Sequence, residues 1–318
     1  MTLTEAVREQ RERDGRDDPE RDGNSTGGDD DRGPDPSKPV RRAFGVVSRR
    51  PVLLFAFALA AVVVAVADVA RILDPVGNAT PDVIGGGVSL TVLAYPSGTR
   101  VTAVTPGALV ALQPWWLLAA ALLGSVGPLA AGAATTWTVA RAAKREVTTE
   151  RVLATTTYVL AVAVAWRASA WIVEVFPAAV APLLLVGLWL SARLFPAPAL
   201  AALGRSPVDA ASEAYALTRG RAFGCFLSVL GAGTLGAVLA NVGSGAAASP
   251  GDPLFAFGTV LSYTFAGAIG AVAATIYAVE AREERERGRA DQRQRETAHE
   301  GGEHADTAVR GLQRRNGN

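Results

Sequence analysis

PVLLFAFALAAVVVAVADVA, residues 51–70, carries no charge from Val52 to Ala67 and follows arginines at 41, 42, 49 and 50. A hydrocarbon core about 30 Å thick is crossed by roughly 20 apolar residues in helical form, so this stretch is long enough to span it. Five similar stretches follow, at about 109–139, 152–176, 179–195, 222–242 and 254–279. The pattern predicts an all-α integral membrane fold, a bundle of six transmembrane helices occupying 41–282.

The charges confirm the division. Residues 1–40 hold 12 acids and 7 bases, residues 280–318 hold 9 of each, and the 239 residues between hold 9 acids and 15 bases. The near-neutral total of +1 therefore conceals polar ends around an apolar middle, and nothing in it points to nucleic acid. Residues 1–40 have almost no large apolar side chains to offset chain entropy, so they read as a disordered acidic tail. Residues 283–318 read as a charged tail that continues the last helix, frays and is largely disordered. The first apolar run lies too far from the start, behind too acidic a leader, to be a cleaved signal peptide. Cys225 is the lone cysteine, which excludes a disulfide framework or a thiolate metal cluster.

Between the first two spans, VSLTVLAY (88–95), PSGT (96–99) and RVTAVT (100–105) read as two short strands around a turn, a small β-hairpin outside the membrane. Trp115, Trp116 and Trp137 mark the ends of the second span, as aromatic belts do. Pro128 lies inside that span and predicts a kink.

Basic residues near span ends stay on the cytoplasmic side. Four arginines precede span one, four basic residues occupy 140–151, four arginines lie in 193–221, and Arg282, Arg285, Arg287 and Arg289 follow span six. The intervening loops carry few or none. The alternation places both termini in the cytoplasm of a multi-pass plasma-membrane protein. Asn78, in an Asn-Ala-Thr sequon, is then on the outer face and open to glycosylation, whereas Asn24 is not.

Gly231, Gly233 and Gly236 match G-x-G-x-x-G. A dinucleotide fingerprint needs a soluble βαβ unit and an acid about 20 residues on; these glycines lie within an apolar span. They read as a helix-packing surface, meeting Gly267 and Gly270 of span six. His299 and His304 are the only histidines and lie in the polar tail without metal-ligand spacing. No catalytic residue, metal site or cofactor is expected.

Three charges within or beside the spans form the candidate polar site: Asp68, Arg167 and Glu174. Charge at depth is costly and marks function by default. A structural ion pair of Arg167 with Asp68 or Glu174 competes with a substrate or lipid-headgroup contact.

The segment RSPVDAASEAYALTRGR (205–221) predicts an interfacial helix. Ser206 caps it, Pro207 suits its first position, Asp209 completes a capping box and Gly220 ends it. Val208, Ala211, Tyr215 and Leu217 oppose Asp209, Ser212, Glu213 and Arg219, so the helix should lie along the inner membrane surface and lead into span five.

Ser206-Pro207, Ala210, Ala214 and Leu217-Thr218-Arg219-Gly220-Arg221, followed by an apolar span, resemble the signature of a six-span family typified by the membrane domain of certain bacterial glycerophosphodiester phosphodiesterases. That family also includes stand-alone proteins of unknown function. The likeness extends over about 45–280. It implies six spans with both ends inside, but no phosphodiesterase activity, because the catalytic barrel of the enzymatic members has no counterpart here. The expected role is a non-enzymatic membrane module whose partners are the lipid bilayer and a membrane protein or a second copy. The alternative is a small-solute transporter or permease, for which Pro128 and the glycine-rich spans would line a path.

Overall fold

The computed structural model describes residues 38–72, 79–81, 102–104, 114–244 and 253–315. Contacts divide the chain into two compact units, Met1–Ala278 and Val279–Asn318. Helices carry the fold: α1 (Lys38–Arg49), α2 (Phe55–Ile72), α3 (Pro114–Ala142), α4 (Thr149–Val175), α5 (Val180–Leu194), α6 (Ala197–Ala202), α7 (Pro207–Leu217), α8 (Ala222–Ser244) and α9 (Pro253–Arg315). Short 3-10 turns at Pro51–Leu54 and Pro177–Ala179 precede α2 and α5.

The first apolar run does not begin as a simple continuation of its arginines. Pro51 disfavours helical backbone at the residue before it, and Arg50 takes φ −134° and ψ 71°. The chain therefore bends by 106° between Pro39–Arg49 and Pro51–Ala67. α1 buries Ala43 and Val47, one turn apart, and leaves Phe44 60% exposed. Lys38, Arg41, Arg42 and Arg49 share this short helix, with no acid among them.

α3 is packed between α2 and α4. Gly132 sets the second of these approaches: a Cβ there would lie 2.6 Å from the Cα of Thr156. The backbones meet at this distance because glycine removes the atom that would separate them, the usual device of membrane helix pairs. Thr138 Oγ1 donates to the carbonyl of Leu53 at 3.4 Å, joining the end of α3 to the start of the α2 run. Arg151, at the start of α4, donates from Nη1 to the carbonyl of Glu146 at 2.7 Å. The basic ends of these three helices thus gather at one end of the bundle.

α9 supplies the centre. Within Ala256–Ala290, 78% of the most apolar window is buried, against 22–33% for the other three spanning candidates. Tyr263 donates to the carbonyl of Gly127 at 2.9 Å, and its ring lies 6.4 Å from that of Phe57. The buried hydroxyls Thr136, Thr155, Ser228 and Thr275 bond to carbonyls four residues back in their own helices, which lets them sit in an apolar interior. Outward faces are apolar too: α2 exposes Leu59, Val62 and Val66, and α5 exposes Leu184, Leu185 and Val186. Apolar faces this extensive mark contact with lipid or another apolar surface.

Four helices are long and apolar enough to cross a membrane, or five if the bent pair at Pro51 counts as one span. Six spans exceed what the described residues show. α4 has the length, 27 residues, but it is not among the spanning candidates found in the described residues. The expected hairpin is corrected as well. Thr102–Val104 pairs antiparallel with Ala79–Pro81, with Thr80 opposite Ala103. Twenty residues separate these strands, so the ladder is not a tight hairpin around 96–99; residues 88–99 and Asn78 lie outside the described residues, as does the 1–37 tail.

In the second unit, the last helix continues beyond 282, as expected from the sequence, and is helical to Arg315. Arginine, glutamate and alanine are good helix formers, and Glu283 pairs with Arg287 one turn on at 3.7 Å.

Candidate functional site

The site forms where α5 ends and α8 begins. Phe195 and Pro196 separate α5 from α6, whose six residues are all buried. Gly204, at φ +102°, reverses the chain; glycine adopts that conformation without the Cβ penalty. Ser206 then caps α7, accepting from the backbone N–H of Asp209 at 3.2 Å, with Pro207 in the first turn. The second half of the expected capping box differs: the Asp209 carboxylate accepts from Ser206 Oγ at 2.7 Å instead of reaching the backbone. Arg205 and Glu213 pair across this turn at 3.1 Å. Gly220, at φ +83°, ends the segment within the turn 218–221.

Within the bundle α7 packs through its alanines and Leu217. Ala210, Ala214 and Leu217 are buried, whereas Val208 is 78% exposed. α7 packs on α4, α5 and α6, and the small alanines permit that approach. Val208 faces away from that contact, whereas Tyr215 turns its ring to Trp189 of α5.

This hairpin brings Tyr215 beside the last turn of α5. The Arg193 guanidinium carbon lies 4.9 Å from the Tyr215 ring centroid and 5.7 Å from that of Trp189. The two rings meet edge-on at 5.9 Å. They offer π density to the cation but no hydrogen-bond acceptor. Nε and Nη1 of Arg193 are buried and have no hydrogen-bond partner. Arg193 and Arg221 both lie within electrostatic reach of the buried thiol of Cys225 on α8.

Of the sequence candidates, Asp68 lies on α2, and Arg167 and Glu174 on α4; their side chains are outside the described residues, as are those of His299 and His304. Ser206, Pro207 and Asp209 stand at the start of α7, and Arg219, Gly220 and Arg221 in the turn after its other end. The glycines divide. Gly236 meets Ala266 and Ser262 of α9, at 3.3 and 3.4 Å from its would-be Cβ, whereas Gly231 and Gly270 have nothing within 4 Å. Gly267 is buried and Gly233 half-buried. The uniform packing surface expected of the five is thus realised most closely at Gly236. Gly132, outside that glycine set, makes a tighter contact, 2.6 Å from its would-be Cβ to the Cα of Thr156.

In the sequence Arg193 is one of the four arginines of the 193–221 segment. The signal that could have singled it out is Trp189 four residues earlier, on the same helix face. Tyr215 has no such signal, because its approach depends on the turn at Gly204.

No family model, curated protein or solved structure matches this chain.

Proposed function

We propose that this chain is a six-span plasma-membrane module, with both termini cytoplasmic, that binds lipid or a membrane partner and catalyses no reaction itself. The observation that carries the reading is the 106° turn between α1 and the apolar run after Pro51. A basic helix turned across the axis of a spanning helix lies at headgroup depth, where lysine and arginine meet anionic lipid. That side is cytoplasmic for a helix with this many bases.

Two helices complete six spans on this reading. α2 with its preceding 3-10 turn runs from Pro51 to Ile72, and α4 keeps an uncharged stretch from Val152 to Trp166. The layout agrees with the likeness to the membrane-domain family of glycerophosphodiester phosphodiesterases, which rests on the Ser206–Arg221 pattern.

Native mass spectrometry of the full-length protein, released from mild detergent, tests the lipid reading. Retained phospholipid supports it. A delipidated protein that carries solute across proteoliposomes would replace it with the permease reading, for which Pro128 inside α3 is the favouring observation.

A further inference from the structure

Arg193 presents a problem that its own protein does not solve. It lies within the apolar run Val180–Ala202, and a charge in such a run calls for a counter-charge or a water-filled path. No ion pair to it exists among the described residues. The two acids of the adjacent hairpin are engaged elsewhere, Asp209 with Ser206 and Glu213 with Arg205. Trp189 and Tyr215 hold the guanidinium in place without taking up its N–H donors. Arg221 adds a second positive charge in reach of the same thiol. Trp189 and Tyr215 are 48% and 43% exposed, so the rings border the apolar flank of α5, and Nε and Nη1 of Arg193 lie buried beneath them.

We propose that Arg193, framed by Trp189 and Tyr215, is a binding site for the phosphate of an anionic phospholipid headgroup. A guanidinium presents its donors in a planar fork that matches two phosphate oxygens, and phosphate is the anion that a bilayer presents beside an apolar helix flank. Acyl chains then lie along Leu185, Val186 and Leu190, which α5 leaves exposed. The aromatic rings orient the fork and exclude water from it. The site rests on the lipid-binding reading above and gives that reading a chemical class and a location.

The test is native mass spectrometry of the full-length protein with added phosphatidylglycerol, diacylglycerol of the same chains, or inorganic phosphate. Wild-type protein retains phosphatidylglycerol at least tenfold better than diacylglycerol. Arg193→Gln weakens phosphatidylglycerol retention at least tenfold, and Arg193→Lys weakens it less, because an ammonium keeps the charge but not the fork. Displacement by millimolar inorganic phosphate shows that a free phosphate shares the site; the absence of displacement shows that the lipid tail is required. Either result supports phosphate recognition at Arg193, given the variant's loss. Wild type retaining phosphatidylglycerol and diacylglycerol equally overturns the proposal without recourse to any variant. Arg193→Gln that folds and retains phosphatidylglycerol like wild type overturns the site alone. Wild type retaining no lipid of either kind defeats the site and the lipid-binding reading together.

Discussion

Thr218 donates from Oγ1 to the carbonyl oxygen of Arg193 at 3.1 Å, across 25 residues of sequence. The last carbonyls of a helix lack intrahelical partners, and this hydroxyl serves one at the end of α5. The same hydroxyl lies 3.0 Å from the carbonyl of Ala214 in its own helix. The bond closes the α6–α7 hairpin and fixes the level at which Tyr215 meets Arg193. Thr218→Val keeps the shape and removes the donor. It is expected to cost about 1–3 kcal/mol, the range for an unsatisfied buried acceptor, with Thr218→Ser near wild type. Thermal unfolding of the full-length protein in detergent reads the difference; equal midpoints for all three would show that the bond contributes nothing.

Gly132→Ala places a methyl against the backbone of Thr156, which cannot rotate away as a side chain can. Overpacking of this kind costs about 1–3 kcal/mol. Gly231→Ala, with nothing within 4 Å, is expected to be neutral or slightly stabilising through helix propensity. The two variants, compared by midpoint of thermal aggregation, separate a contact glycine from a merely apolar one. A Gly231→Ala loss as large as that of Gly132→Ala would contradict the geometry.

Ser206→Ala removes the cap of α7 and is expected to cost about 1 kcal/mol, whereas Ser206→Thr keeps the hydroxyl and retains most of it. Hydrogen exchange over 207–217 is the suitable measurement, since the effect is local: faster exchange in the first turn with Ala, and little change with Thr. Unchanged exchange in the alanine variant would mean that packing on α4, α5 and α6 alone holds the helix.

The proposed orientation is read by cysteine labelling in a Cys225→Ser background. Glu146→Cys lies in the basic loop between α3 and α4, and Ser97→Cys in the segment assigned to the outer face. A membrane-impermeant maleimide is expected to label the Ser97 variant on intact cells and the Glu146 variant only after permeabilisation. The opposite pattern would invert the topology and remove α1 from the cytoplasmic surface.

The helices were legible because each is written locally. Uncharged runs of bilayer length, Ser206 before Pro207 and glycine at 220 require no knowledge of neighbours. The bend at Pro51 was readable on the same terms, since proline restricts the residue before it, but the arginines ahead of it had been treated only as a charge count. The hairpin was misplaced for the opposite reason. Strand patterning identified Thr102–Val104 as strand but could not identify its partner, and Ala79–Pro81 has no alternation to announce it.

Sequence alone determined that this is an apolar, helical chain with polar ends, and where most of its helices start and stop. Tertiary structure decided which faces meet: Gly132 against Thr156 rather than the G-x-G-x-x-G run, Ala210 and Ala214 rather than Val208, and Tyr215 over Arg193. An apolar helix is apolar all round, so its periodicity does not point to a buried side. Only the matching of small residues to neighbouring backbone, and of a stranded cation to the rings beside it, selects one.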